Sequence, residues 1–130
     1  MNTAMERKII AGFTLIELLV VMTIIGMLLT LAVPRYFHSV DKSKETVLRD
    51  NLMILRESLD KYYSDNGKYP DNLDDLVTKK YLRGIPRDPI TESPTTWVTV
   101  PPDNPSKGIV YDVKSGAPEK ALDGTMYAEW

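Results

Sequence analysis

The chain has 130 residues, 43% hydrophobic and 26% charged, with 16 Lys and Arg against 18 Asp and Glu, one His and no Cys. The absence of cysteine excludes a disulfide framework, a thiolate nucleophile and cysteine-bound zinc or iron-sulfur sites, and a net charge of -2 with no basic block leaves no nucleic acid expected as a partner. The average conceals a division, because 16 of the 21 residues from Phe13 to Val33 are apolar, leaving about 40 apolar residues for the other 109.

The apolar run contains one charged residue, Glu17, and as a helix it reaches about 31 Å, close to the hydrocarbon thickness of a bilayer. Buried helices of soluble proteins are shorter and rarely apolar all round, so a membrane span is expected over 13–33. Arg7 and Lys8 precede it, which places that end in the cytoplasm and the C-terminal part outside. A cleavable secretory signal is the alternative, but its apolar core is shorter, and Leu31-Ala32-Val33-Pro34 matches its cleavage site poorly. Glu17 costs about 2.5 to 3.5 kcal/mol near a bilayer's middle and less near the interface. The span holds no Lys, Arg or His. A partner for Glu17 must come from outside it: a cation on another copy, or the new α-amino group of Phe13 if the chain is cut after Gly12. The alternative is a carboxyl resting at headgroup level.

The stretch Gly12-Phe13-Thr14-Leu15-Ile16-Glu17-Leu18-Leu19-Val20-Val21 resembles the class III signal of type IV pilins and type II secretion pseudopilins. The resemblance implies a leader over 1–12, removed by a prepilin peptidase that cuts after Gly12 and N-methylates Phe13. It also implies that Glu17, fifth in the mature chain, serves subunit docking during filament assembly.

Gly26 and Pro34 interrupt the apolar helix, and a kink or local unwinding is expected near Met22 to Thr30. In filaments of the resembled family this stretch melts as subunits pack; a bend that turns the soluble part is the other reading. Beyond Pro34, Leu48, Leu52, Leu55, Leu59 and Tyr62 form an apolar stripe at helical spacing, with charged residues on the other faces. The stripe covers little more than two heptads, too few for a coiled-coil seam, so the chain's own globular part is expected to cover it. Glu45 with Arg49 and Glu57 with Lys61 stand four apart as surface ion pairs. Helix is expected to about Ser64, ended by Asp65-Asn66-Gly67-Lys68-Tyr69-Pro70. A short helix capped by Asp71 should then run to about Lys80, its apolar face made of Leu73, Leu76 and Val77.

Eight of nine prolines lie from Pro70 onward, which leaves room only for short strands. Trp97 to Val100 and Gly108 to Val113 are the best candidates, paired antiparallel, with Trp97, Val98, Val100, Ile109 and Tyr111 partly buried against the helix. The expected class is α+β and pilin-like: a long N-terminal helix packed on a small domain, 34–130, with a short helix and a small antiparallel sheet. The order of long helix, Asn-Gly-x-Tyr-Pro turn, short helix and Ile85-Pro86-Arg87-Asp88-Pro89 also resembles pseudopilins.

Catalysis has little to work with, since His38 stands alone and Gly116-Ala117-Pro118-Glu119 cannot cradle a phosphate. Calcium takes six to eight oxygens, and Asp112, Ser115, Asp123 and Thr125 supply several, a set that the resemblance to major pseudopilins also implies. One acid at Asp123 where the family shows two, with Lys114 and Lys120 nearby in sequence, departs from that pattern; a turn held by side-chain hydrogen bonds is the alternative.

Taken together, the resemblance implies a structural subunit, not an enzyme, anchored in the bacterial inner membrane with a periplasmic C-terminal domain. It would polymerise with itself and other pseudopilins into a periplasmic filament of a type II secretion system, meeting the prepilin peptidase, an inner-membrane assembly platform and membrane lipids. A type IV pilin or minor pilin is the second reading, disfavoured by the missing cysteines, and a membrane-tethered domain that never polymerises is the third.

Overall fold

The computed structural model describes residues 12–130, which form two compact units, one ending at Ser39 and one running Val40–Trp130. Apart from Gly12, the expected leader lies outside the described residues.

Helix α1, Leu15–Asn66, contributes to both units. Thr14 starts it: its hydroxyl accepts from the Glu17 amide at 3.2 Å and its carbonyl from the Leu18 amide, also at 3.2 Å. Thr14-Leu15-Ile16-Glu17 is thus a helix-start signal of the capping-box type, with the Glu17 and Leu18 amides satisfied locally. Every described residue to Ser39 is exposed, and the helix is long and apolar enough to cross a membrane. The Thr23 and Thr30 hydroxyls donate back to the Leu19 and Gly26 carbonyls at 2.8 Å, so these polar groups are satisfied inside the helix, as an apolar medium demands.

The helix continues through Gly26 and holds Pro34 in its interior. The stretch from Met22 to Thr30 is therefore not unwound in the lone subunit. Proline removes a single amide, the one that would reach the Thr30 carbonyl, and the turns on either side keep their own bonds.

In the second unit the stripe is buried as expected: Leu48, Leu55 and Leu59 fully, Leu52 and Tyr62 nearly so. Leu48, Leu52 and Leu55 meet Trp97, Val113, Ala117, Ala121 and Tyr127 in one core cluster, while Leu59 and Tyr62 meet Leu76 and Val110 in a second. Gly67, at φ +75°, ends α1, its amide donating to the Tyr63 carbonyl at 2.8 Å. The next helix, α2, is only Asp74–Thr78, shorter than expected. Its first amides are met by Asn72, whose side chain accepts from the Asp75 amide at 3.0 Å, whereas Asp71 donates its own amide to the Asp75 carboxyl.

Strands β1, Val98–Val100, and β2, Asp112–Lys114, pair antiparallel with Thr99 opposite Val113. Trp97 is buried and Val100 half-buried, but Val98, Ile109 and Tyr111 are exposed; Val110 and Val113 face inward instead. The expected strand over 108–113 is shorter because Val110 is bonded elsewhere, its amide donating to the Pro70 carbonyl at 3.0 Å. The chain then bends, and β2 starts two residues later with the opposite face inward. Gly108 makes that crossing feasible. It sits at φ +121°, and a Cβ there would collide with the Tyr69 backbone.

Candidate functional site

Two groups of residues carry the functional reading, one in each unit. In the first unit, Phe13 precedes α1 with 85% of its surface exposed. Glu17 lies in the first helical turn, where unpaired amides and the helix dipole favour a carboxylate. A shallow groove of about 290 Å³ runs between Phe13, Ile16, Glu17, Val20 and Val21 and is almost wholly apolar. Among the described residues, no cation lies within ion-pair distance of Glu17. Phe13 and Glu17 thus share one end of an uncovered apolar helix, with the carboxyl as its single charge.

The second group surrounds the C-terminal segment, where calcium was expected on Asp112, Ser115, Asp123 and Thr125. Among the described residues no cluster of three or more acids or histidines is placed to hold a metal. Each expected ligand has another partner. Asp112 Oδ1 accepts from Arg56 Nε and from the Val113 amide, both at 2.8 Å. The Ser115 hydroxyl is fully buried and donates to Asp88 Oδ2. Asp123 Oδ1 accepts from the Thr125 hydroxyl at 2.6 Å and its amide at 2.9 Å, and Thr125 Oγ1 in turn accepts from the Trp130 indole at 2.8 Å. The side-chain hydrogen bond from Thr125, followed by its backbone one, holds the Asp123 carboxyl below the usual carboxylate range. The residues present do not fit the ion; the turn held by side-chain hydrogen bonds is what forms.

Several residues that matter here were read in the sequence only as surface charge. Glu45 does not pair with Arg49; its Oε1 accepts from the Leu122 amide at 2.7 Å and the Tyr127 hydroxyl at 2.8 Å. Burial, then the hydrogen bond to Glu45, pushes the Tyr127 phenol above its ordinary value. The Arg49 guanidinium lies 3.9 Å over the Trp130 ring, and Arg56 adds bonds to the carbonyls of Val113 and Trp130 at 3.1 and 2.7 Å. Glu57 and Lys61 form no ion pair among the described residues. Asp88, quoted only as part of a proline-rich segment, is fully buried and accepts from the Ile90 amide at 2.8 Å. Spacing revealed none of the contacts of Glu45, Arg49 and Arg56, because each joins residues far apart in sequence. The Thr14 cap also went unread, although Thr-x-x-Glu at the start of an apolar run is a local signal that could have found it.

Comparison with known proteins agrees with this anatomy. The family described as the prokaryotic N-terminal methylation motif matches residues 7–33. The type II secretion system core protein G of Pseudomonas aeruginosa is 36% identical over 101 residues, which cover 65% of this chain and 71% of that protein. That of Klebsiella michiganensis is 34% identical over the same extent. The Escherichia coli (strain K12) protein of the same name is 31% identical over 134 residues, covering 91% of this chain and 86% of its own. No solved structure matches the chain. An apolar helix bearing the methylation motif, followed by a small α+β unit and aligned with these relatives over most of their length, places the chain in the type II secretion system core protein G family, the major pseudopilins.

Proposed function

We propose that the chain is cut between Gly12 and Phe13 by a prepilin peptidase, N-methylated at Phe13, and held in the inner membrane by its apolar helix until it is drawn into a periplasmic filament. The observation that carries this reading is the helix itself, exposed along its whole apolar length with Glu17 as its only charge. Such a surface has two environments that suit it, lipid and other helices like it.

In the membrane the basic end stays cytoplasmic and the unit from Val40 lies in the periplasm. Once the leader is removed, the Phe13 amine is a cation on the otherwise apolar end of the subunit. Pairing it with Glu17 of a neighbour neutralises two charges that are each costly in an apolar setting, and sets the step of one subunit against the next. Apolar helices then form the filament axis, the soluble units coat it, and growth driven from an inner-membrane platform pushes exported protein outward. Other pseudopilins share the filament. Gly26 and Pro34 make the stretch between them the easiest part of the helix to open on packing. Calcium has no part in this reading.

Glu17→Ala tests it. The variant should be processed normally yet form no filaments when pseudopili are counted after overexpression. Normal filaments would overturn the pairing.

A further inference from the structure

We propose that Glu45, Arg49 and Arg56 of α1 form a clip that holds Ala117–Trp130 in place without a cation, so that the fold of this subunit is independent of calcium. The inference concerns the soluble unit and does not rest on the filament reading.

Positions 45, 49 and 56, spaced by four and seven, fall on one face of a helix, beside the buried stripe of Leu48, Leu52 and Leu55. From that face Glu45 holds the middle of the segment, through the Leu122 amide and the Tyr127 hydroxyl. Arg49 and Arg56 hold its end, one stacked on the Trp130 ring and the other bonded to the Trp130 carbonyl. The interior of the segment closes on itself through a relay from the Trp130 indole to the Thr125 hydroxyl to Asp123. Arg56 also neutralises Asp112, the acid on β2 from which a calcium shell would begin. A divalent ion entering here would displace one guanidinium from Asp112 and break the Asp123 turn, while still lacking most of the six to eight oxygens it needs. What the family resemblance assigns to a bound cation is accomplished in this chain by two guanidinium groups and a glutamate.

The test uses the full chain in detergent micelles, with calcium chloride at about 5 mM, above the range of extracellular calcium modules, or with chelator. Trypsin cleavage after the exposed Lys120 reports opening of the segment, and thermal melting reports the whole unit. The parent should melt and be cut identically in both media. Glu45→Ala and Arg49→Ala should each speed cleavage after Lys120 by about tenfold, with no rescue by calcium. Tyr127→Phe, which removes only a hydroxyl, should speed it severalfold. Slower cleavage or a higher melting temperature of the parent in calcium would overturn the proposal. So would unchanged cleavage in Glu45→Ala and Tyr127→Phe.

Discussion

Asp88→Ala offers the most quantitative check on how the unit Val40–Trp130 is held together. Asp88 is fully buried, and its two carboxyl oxygens receive the Ile90 amide at 2.8 Å, the Thr91 amide at 3.4 Å and the buried Ser115 hydroxyl. Ser115 Oγ in turn accepts from the Ala117 amide at 3.1 Å, so the same carboxyl steadies the chain leaving β2. Alanine leaves the Ile90 amide and the Ser115 hydroxyl without acceptors, at about 1–3 kcal/mol for each buried orphan, while the long Thr91 bond adds little. The expected loss is about 3–5 kcal/mol, a large part of the 5–15 kcal/mol available to a typical domain. At about 4–8 °C per kcal/mol for a unit of this size, the melting temperature should fall by about 12–40 °C. Near-ultraviolet circular dichroism of the full chain in micelles reads it well, because the Trp97 indole donates to the Pro86 carbonyl in the same loop at 2.8 Å. Asp88→Asn keeps one acceptor and should lose less than half as much. An Asp88→Ala melt within about 3 °C of the parent would mean that water replaces the carboxyl at no cost, refuting the argument from buried unsatisfied donors.

Gly108→Ala should cost about 2 kcal/mol or more, since φ +121° is a glycine conformation and the new methyl meets the Tyr69 backbone; Gly26→Ala, whose Cβ meets nothing, should leave the melt unchanged or raise it slightly. Equal melting of the two variants would contradict the close approach at Gly108. Stability should also fall at alkaline pH. The Tyr127 phenol titrates higher folded than unfolded, so its contribution is complete below about pH 10 and is lost as pH rises toward the folded value. Tyr69 and Tyr81 are raised in the same direction, so Tyr127→Phe should shallow the alkaline decline in melting temperature without removing it, and an unchanged slope would refute the assignment.

The sequence showed the parts of this fold that repeat at a fixed interval. Leu48 through Tyr62 announced a buried face because the helical period lets one element be read without its partner. The turn at Asn66-Gly67 was equally plain, because its backbone conformation is a local property. The irregular half was harder. Val110 and Val113 are buried although Tyr111 between them is exposed, and no alternation predicts a bend set by a bond to Pro70. At the C-terminal segment, Asp112, Ser115, Asp123 and Thr125 had the right chemistry for a cation, but Arg56, Asp88 and Trp130 claim their oxygens or hydroxyls from 5 to 56 residues away. Such competition between acceptors is settled only in three dimensions. The N-terminal methylation motif over residues 7–33 was legible because its information is linear.

The two strands of this subunit are three residues each, and in β2 the Val113 amide and carbonyl are already taken by Asp112 and Arg56. Pro101 and Pro102 follow directly after β1 and have no amides to donate, so the strand does not lengthen in that direction. A filament crowds its subunits together at very high local concentration, where longer bare edges would invite sideways pairing from copy to copy. Stunted strands ended by proline make that route unprofitable. Helix packing, for which the exposed apolar stretch is suited, then meets little competition from strand pairing.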